Sequence, residues 1–185
     1  MFGKYLLLPS AMLLAMPAAA GVMVLGKSAG HGCYTSALAQ SASNAALKDC
    51  DFAIKNGLLS HRDLVATYVN RGIVKLARKD TLEAIADFDR AIAMNPAQAE
   101  SYLNKGSALL RMQGDPAQAI LLFDEALERN TTRPELAYFG RAIAHEVSGD
   151  AQAAYLDYRR AQAAAPEWED PTRELSRFQV RRVNG

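Results

Sequence analysis

The sequence predicts an all-α fold built from repeated helix hairpins. Three observations lead there: Ala is abundant while Gly and Pro are modest in number, β-branched and aromatic residues seldom alternate, and one set of small and aromatic residues returns at a fixed interval. Half of the 185 residues are apolar and 22% are charged, which allows one modest core or a short stack of repeats and excludes a disordered chain. The formal charge of +1 speaks against a nucleic-acid partner.

The first residues differ from the rest. Lys4 supplies a positive start, Tyr5 to Met16 is almost wholly apolar, and Ala18-Ala19-Ala20 offers the small residues of a signal-peptidase site. Residues 1–20 therefore read as a cleavable export signal, and cutting there removes Lys4 and no acid, leaving 20 basic against 20 acidic residues. An uncleaved anchor reaching to about residue 26 is the alternative, because Lys4 and Lys27 enclose 22 uncharged residues and about 20 suffice to span a bilayer. Pro9 and Pro17 weigh against it. Cys33 follows Gly30-His31-Gly32 and lacks a lipobox setting. The expected location is periplasmic or secreted, with membrane contact only if the segment stays uncleaved and holds the repeats outside the cytoplasm.

From Val65 to Gln98 the chain carries Tyr68, Gly72, Ala84, Phe88, Ala91 and Pro96 at positions 4, 8, 20, 24, 27 and 32 of a 34-residue unit. The next unit repeats the pattern with Tyr102, Gly106, Ala119, Phe123 and Ala126, and a third with Tyr138, Ala142, Ala154, Tyr158, Ala161 and Pro166. This resembles the tetratricopeptide repeat (TPR). The resemblance implies a short right-handed solenoid of antiparallel helix hairpins, each unable to bury its apolar face without a neighbour. Upstream, Ala46 to Ile54 aligns with Ala84 to Ile92, so a degenerate repeat comes first. Glu169-Asp170-Pro171 opens a final helix in which Leu175 and Phe178 lie one turn apart, with Arg173, Arg177, Arg181 and Arg182 over its remaining surface. Trp168 is expected to pack beneath that helix. The expected organisation is a signal over 1–20, a degenerate repeat over 28–64, repeats over 65–98, 99–132 and 133–166, and a capping helix with a basic tail over 167–185.

In the register of the degenerate repeat, Cys33 and Cys50 fall on facing helices, equally far from a turn around Ser41-Ala42. A Cys33–Cys50 disulfide is expected. Closing a loop of about 17 residues is worth roughly 3 kcal/mol in the chain-entropy model, and an oxidising compartment favours it. Two buried but unpaired cysteines are the alternative.

Catalytic chemistry finds no support. His31, His61 and His145 show no metal-ligand spacing, and no phosphate-binding Gly-rich loop is present, so neither a metal nor a cofactor is expected. Ser60-His61-Arg62-Asp63 fits a helix N-cap rather than a triad. Asp49/Asp51 and Asp87/Asp89 recur at equal repeat positions and read as solvated surface charge.

In tetratricopeptide arrays the first helices of successive repeats line a concave groove. Carried over, that groove comprises chiefly Val69, Asn70, Ile73, Leu103, Asn104, Ser107, Arg111 and Ile143, and is mainly apolar. Asn70 and Asn104 share one repeat position, where an amide can pair with a peptide backbone as donor and acceptor, or else bond neighbouring repeat backbone. Chaperone-binding relatives use a cationic clamp for two carboxylates. Asn104 matches it, but Val69, Ile73, Glu135 and Gly140 do not, so an acidic tail is not the expected ligand. The resemblance implies a non-enzymatic scaffold that binds a peptide or helix of a protein partner, in envelope assembly or recruitment. The alternative is a self-associating structural subunit whose groove is filled by a self-contact.

Overall fold

The computed structural model describes residues 4–7, 20–23 and 30–181, with backbone alone for 4–7 and 179–181. Residues 8–19, which hold most of the apolar run with Ala18 and Ala19, and residues 24–29 and 182–185, which hold Lys27 and Arg182, lie outside the described residues.

Four helix hairpins follow one another: α1 (Gly30–Leu38) with α2 (Asn44–Asn56), α3 (His61–Ala77) with α4 (Thr81–Met94), α5 (Ala99–Arg111) with α6 (Pro116–Glu128), and α7 (Pro134–Val147) with α8 (Ala151–Ala164). A short α9 (Glu169–Leu175) closes the stack. Local chemistry sets the boundaries. Ser43, Ser60, Asp115 and Asp150 each accept a main-chain N–H of the following first turn, so the Ser60 motif is a cap. Pro116 and Pro134 start their helices where the missing N–H costs nothing. Gln40, Lys79, Gln113 and Gly149 adopt positive φ between the two helices of each hairpin.

The expected all-α solenoid is present, and its packing follows the repeat positions. Phe88, Phe123 and Tyr158 have no exposed surface, and neither do the alanines at 84, 91, 119, 126, 154 and 161. Each ring fills the gap between two helices, which only a small residue opposite permits. A Cβ added to Gly72 would stand 2.4 Å from Phe88 Cε1, and one on Gly140 would stand 2.4 Å from Phe123 Cζ. The Cys33–Cys50 disulfide is formed, with Cα atoms 4.6 Å apart and both cysteines fully buried.

Two expectations are corrected. The final helix stops at Leu175, and Phe178 opens a four-residue strand, β2 (Phe178–Arg181), instead of continuing the helix. Phe178 is drawn to Tyr155 and Tyr158, with ring centroids 5.6 and 5.9 Å away, while Arg177 turns inward to Glu146 and the fully buried Glu174. β2 pairs antiparallel with β1 (Lys4–Leu7), Leu7 opposite Phe178 and Lys4 opposite Arg181. Among the described residues no helix is long and apolar enough to cross a membrane.

The second correction concerns the paired aspartates. Asp49 and Asp89 are exposed, but Asp87 is only 4% exposed. Arg71 grips it with two hydrogen bonds of 2.9 and 2.6 Å and reaches Asp51 of the preceding hairpin at 2.7 Å. Lys75 approaches the same carboxylate at 2.7 Å. The arrangement recurs along the stack. Arg141 holds Asp157 at 2.6 and 2.8 Å and also binds Asp124 of the hairpin before it, and Lys105 binds Asp89 at 2.6 Å. The bonds it donates to Asp157 raise the pKa of the Arg141 guanidinium against the opposing effect of burial, with Asp124 adding to the rise. A cation on each first helix thus ties one hairpin to its predecessor. Sequence reasoning placed these acids on a solvated face because it judged each helix alone, and their partners stand one helix away.

Gly72→Ala is expected to destabilise the fold by about 1–3 kcal/mol in denaturant unfolding, because the Phe88 ring has no room to retreat. Asp87→Ala is expected to cost about 3 kcal/mol by leaving Lys75 without its carboxylate and Arg71 with Asp51 alone, both cations partly desolvated. An Asp89→Ala change at the exposed end of the ladder is expected to shift stability by less than about 1 kcal/mol.

Candidate functional site

The hairpin stack sets α3, α5 and α7 side by side, and their facing residues form the concave side. Stacking repeats at a constant interval brings position 6 of one helix into line with position 6 of the next. Asn70 and Asn104 occupy it, 0% and 1% exposed. Both are engaged by the chain's own residues 20–22. Asn70 Oδ1 accepts the Val22 N–H at 2.9 Å, and Asn70 Nδ2 donates to the Val22 carbonyl at 2.7 Å. Asn104 Nδ2 donates to the Ala20 carbonyl at 3.0 Å and to its own helix at Glu100 O, 2.8 Å. Residues two apart in an extended chain present the same edge, which lets two asparagines on neighbouring repeats reach Ala20 and Val22 in turn.

Side chains follow the same order. Val22 packs against the cluster that contains Val69 and Ile73, and Ala20, 2% exposed, packs in the cluster that contains Tyr102 and Leu103. Gly21 lies beneath Leu38 of α1, whose Cδ2 is 3.2 Å from where a Cβ would stand. The segment therefore runs from the second full repeat to the first, opposite to the order of the hairpins.

The other groove residues separate. Val69, Ile73 and Leu103 are at most 1% exposed and line the occupied stretch. Ser107 is half-buried and turns its hydroxyl to the Leu103 carbonyl, 3.0 Å, within its own helix. Arg111 stays exposed and borders a shallow depression with Gln40, Ile73, Leu76 and Ala77. Ile143 joins a different cluster, with Phe139, Tyr158 and Phe178. Phe139 packs against Trp168 with the rings tilted and their centroids 4.7 Å apart, and Glu146 is committed to Tyr158 and Arg177. Trp168, half-buried, also donates its indole N–H to Asp170 at 2.9 Å, which agrees with a packing role at the cap.

Glu100 stands in the first turn of α5. It is 7% exposed and accepts from the Thr132 N–H and hydroxyl, both at 3.0 Å, joining α5 to the loop that leads into α7. Residues 20–22 were missed as part of the site, since the sequence reads them as the end of an export signal or as part of an uncleaved anchor. Among the described residues no cluster of three or more His, Cys, Asp or Glu is arranged to hold a metal.

A tetratricopeptide-repeat family profile matches residues 69–134 and 110–167, together more than half of the chain. Comparison with curated proteins gives no match. Similar solved structures include the TPR domain of Arabidopsis OM64, at 22% identity and a TM-score of 0.60, covering 64% of this chain and 96% of that one. PilW, a type IV pilus biogenesis factor, is 19% identical with a TM-score of 0.62, covering 80% of this chain and 64% of its own. The first TPR of Spaghetti (RPAP3), bound to the HSP90 peptide SRMEEVD, is 22% identical with a TM-score of 0.57, covering 60% of this chain and 87% of that one. At these identities the likeness is one of fold. The repeat residues, the hairpin stack and the profile match agree: the chain belongs to the tetratricopeptide-repeat family, whose fold generally serves as a non-enzymatic mediator of protein–protein interaction.

Proposed function

We propose that this chain is an exported interaction scaffold that holds an extended segment of a partner protein against α3 and α5, recruiting that partner to an envelope assembly. The observation that carries this reading is the two-bond pairing of Asn70 with the main chain of Val22. An amide that takes both the N–H and the C=O of one residue recognises extended backbone whatever side chain it bears. The surrounding Val69, Ile73 and Leu103 add apolar contact and no charge, which suits an uncharged segment better than an acidic tail such as the HSP90 peptide bound by the Spaghetti domain. Export is supported by the pattern from Lys4 to Ala20 and by the Cys33–Cys50 bridge, since such bonds persist in oxidising compartments.

A photo-crosslinking residue at Arg111, on the exposed rim, is expected to trap the partner in native envelopes. Adding Asn70→Ala and Asn104→Ala together should lower the crosslinked yield at least tenfold, read by mass spectrometry, with the melting curve confirming an intact fold. An unchanged set of crosslinks in the double variant would reject the groove as the binding site.

A further inference from the structure

Resting on the groove reading, we propose that Ala20–Val22 is a resting occupant that the partner displaces, and that the partner is an uncharged extended peptide with a small residue at Asn104 and a β-branched apolar residue at Asn70. The two asparagines are not equally satisfied. Asn70 uses both its donor and its acceptor on Val22, whereas Asn104 uses only its donor on the segment. Its Oδ1 is buried and has no hydrogen-bond partner. A buried acceptor left unpaired is costly, so a peptide that supplies an N–H there gains over the chain's own segment at that point alone. The internal occupant thus fits the first repeat fully and the second by half.

The side-chain preference comes from the walls. Ala20 is almost wholly enclosed near Tyr102 and Leu103, which leaves space for little beyond a methyl group. At Gly21 a Cβ would already press on Leu38 Cδ2 at 3.2 Å, so a small residue belongs between the two anchor points. Val22 lies against the Val69 and Ile73 cluster, which favours a compact apolar side chain. Glu100, a buried carboxylate of α5, has both oxygens engaged by Thr132 and Gln98, so neither is turned to the segment. The occupant is tied to its site by the chain itself. Tethering raises its effective concentration to the order of millimolar, so a free peptide meets a threshold that loosening the segment removes.

The test uses the full chain carrying Val22→Pro, which has no N–H for Asn70 Oδ1 and leaves every repeat residue in place. The probe is a fluorescein-labelled peptide of the sequence of residues 18–25 with two added C-terminal lysines, followed by anisotropy. The variant is expected to bind the probe at least tenfold more tightly than the unaltered chain. Asn104→Ala in the Val22→Pro background, or N-methylation of the probe's first valine, is expected to reverse the gain. Equal probe affinity in the variant and the unaltered chain would overturn the resting-occupant proposal. If the Asn70 and Asn104 double variant still loses its crosslinks, the groove reading survives that failure. If those crosslinks also persist, both readings fall. A mass that rises with concentration in the Val22→Pro chain, without probe uptake, would also overturn the proposal and give the groove to a second copy.

Discussion

The close approach of two helices over a buried ring is the constraint on which the rest of this structure depends. Phe88 lies so near Gly72 that no Cβ fits between them, and Phe123 excludes a Cβ at Gly140 in the same way while pressing tightly on Gly106. That contact sets the separation within the α3–α4 and α5–α6 hairpins and, through Gly140, the separation between α6 and α7. Because the interval is constant, side chains at one repeat position fall into line across the stack. The cations Arg71, Lys105 and Arg141 then each meet a carboxylate of the preceding hairpin, and Asn70 and Asn104 come to face the same extended segment. The recognition geometry follows from the packing rather than from any local motif.

What was legible in the sequence follows from the same constraint. A ring that must sit under a glycine tolerates few replacements, so Tyr68, Gly72 and Phe88 return with little change and reveal the hairpins. The Cys33–Cys50 bridge was legible because the repeat register placed both residues on facing helices. The ladder of charges was not. Its signal was present, since a cation stands at position 7 in all three full repeats, but a charge on a helix surface looks solvated until the neighbouring helix is in place. Phe178 misled for a related reason. Its spacing from Leu175 suits a helix, yet the aromatic surface of Tyr155 and Tyr158 and the pairing of Arg177 with Glu146 pull the chain into an extended path.

The groove was legible in its two asparagines and illegible in its occupant. An apolar run ending in alanines carries the same composition whether it is an export signal or a filler for an apolar groove, so composition alone could not assign residues 20–22 to the site. The two roles meet at one bond. Cleavage after Ala20 would separate the residue held by Asn104 from the residue held by Asn70, leaving the first repeat covered and the second open.

The central claim is that Asn70 reads main chain at residue 22, and amide hydrogen exchange at Val22 addresses it most directly. A bond to a buried side chain should slow exchange of that N–H at least tenfold below the unstructured rate, and Asn70→Ala should restore fast exchange while the helices stay protected. Exchange of the Val22 amide at the unstructured rate in the unaltered chain would contradict the account.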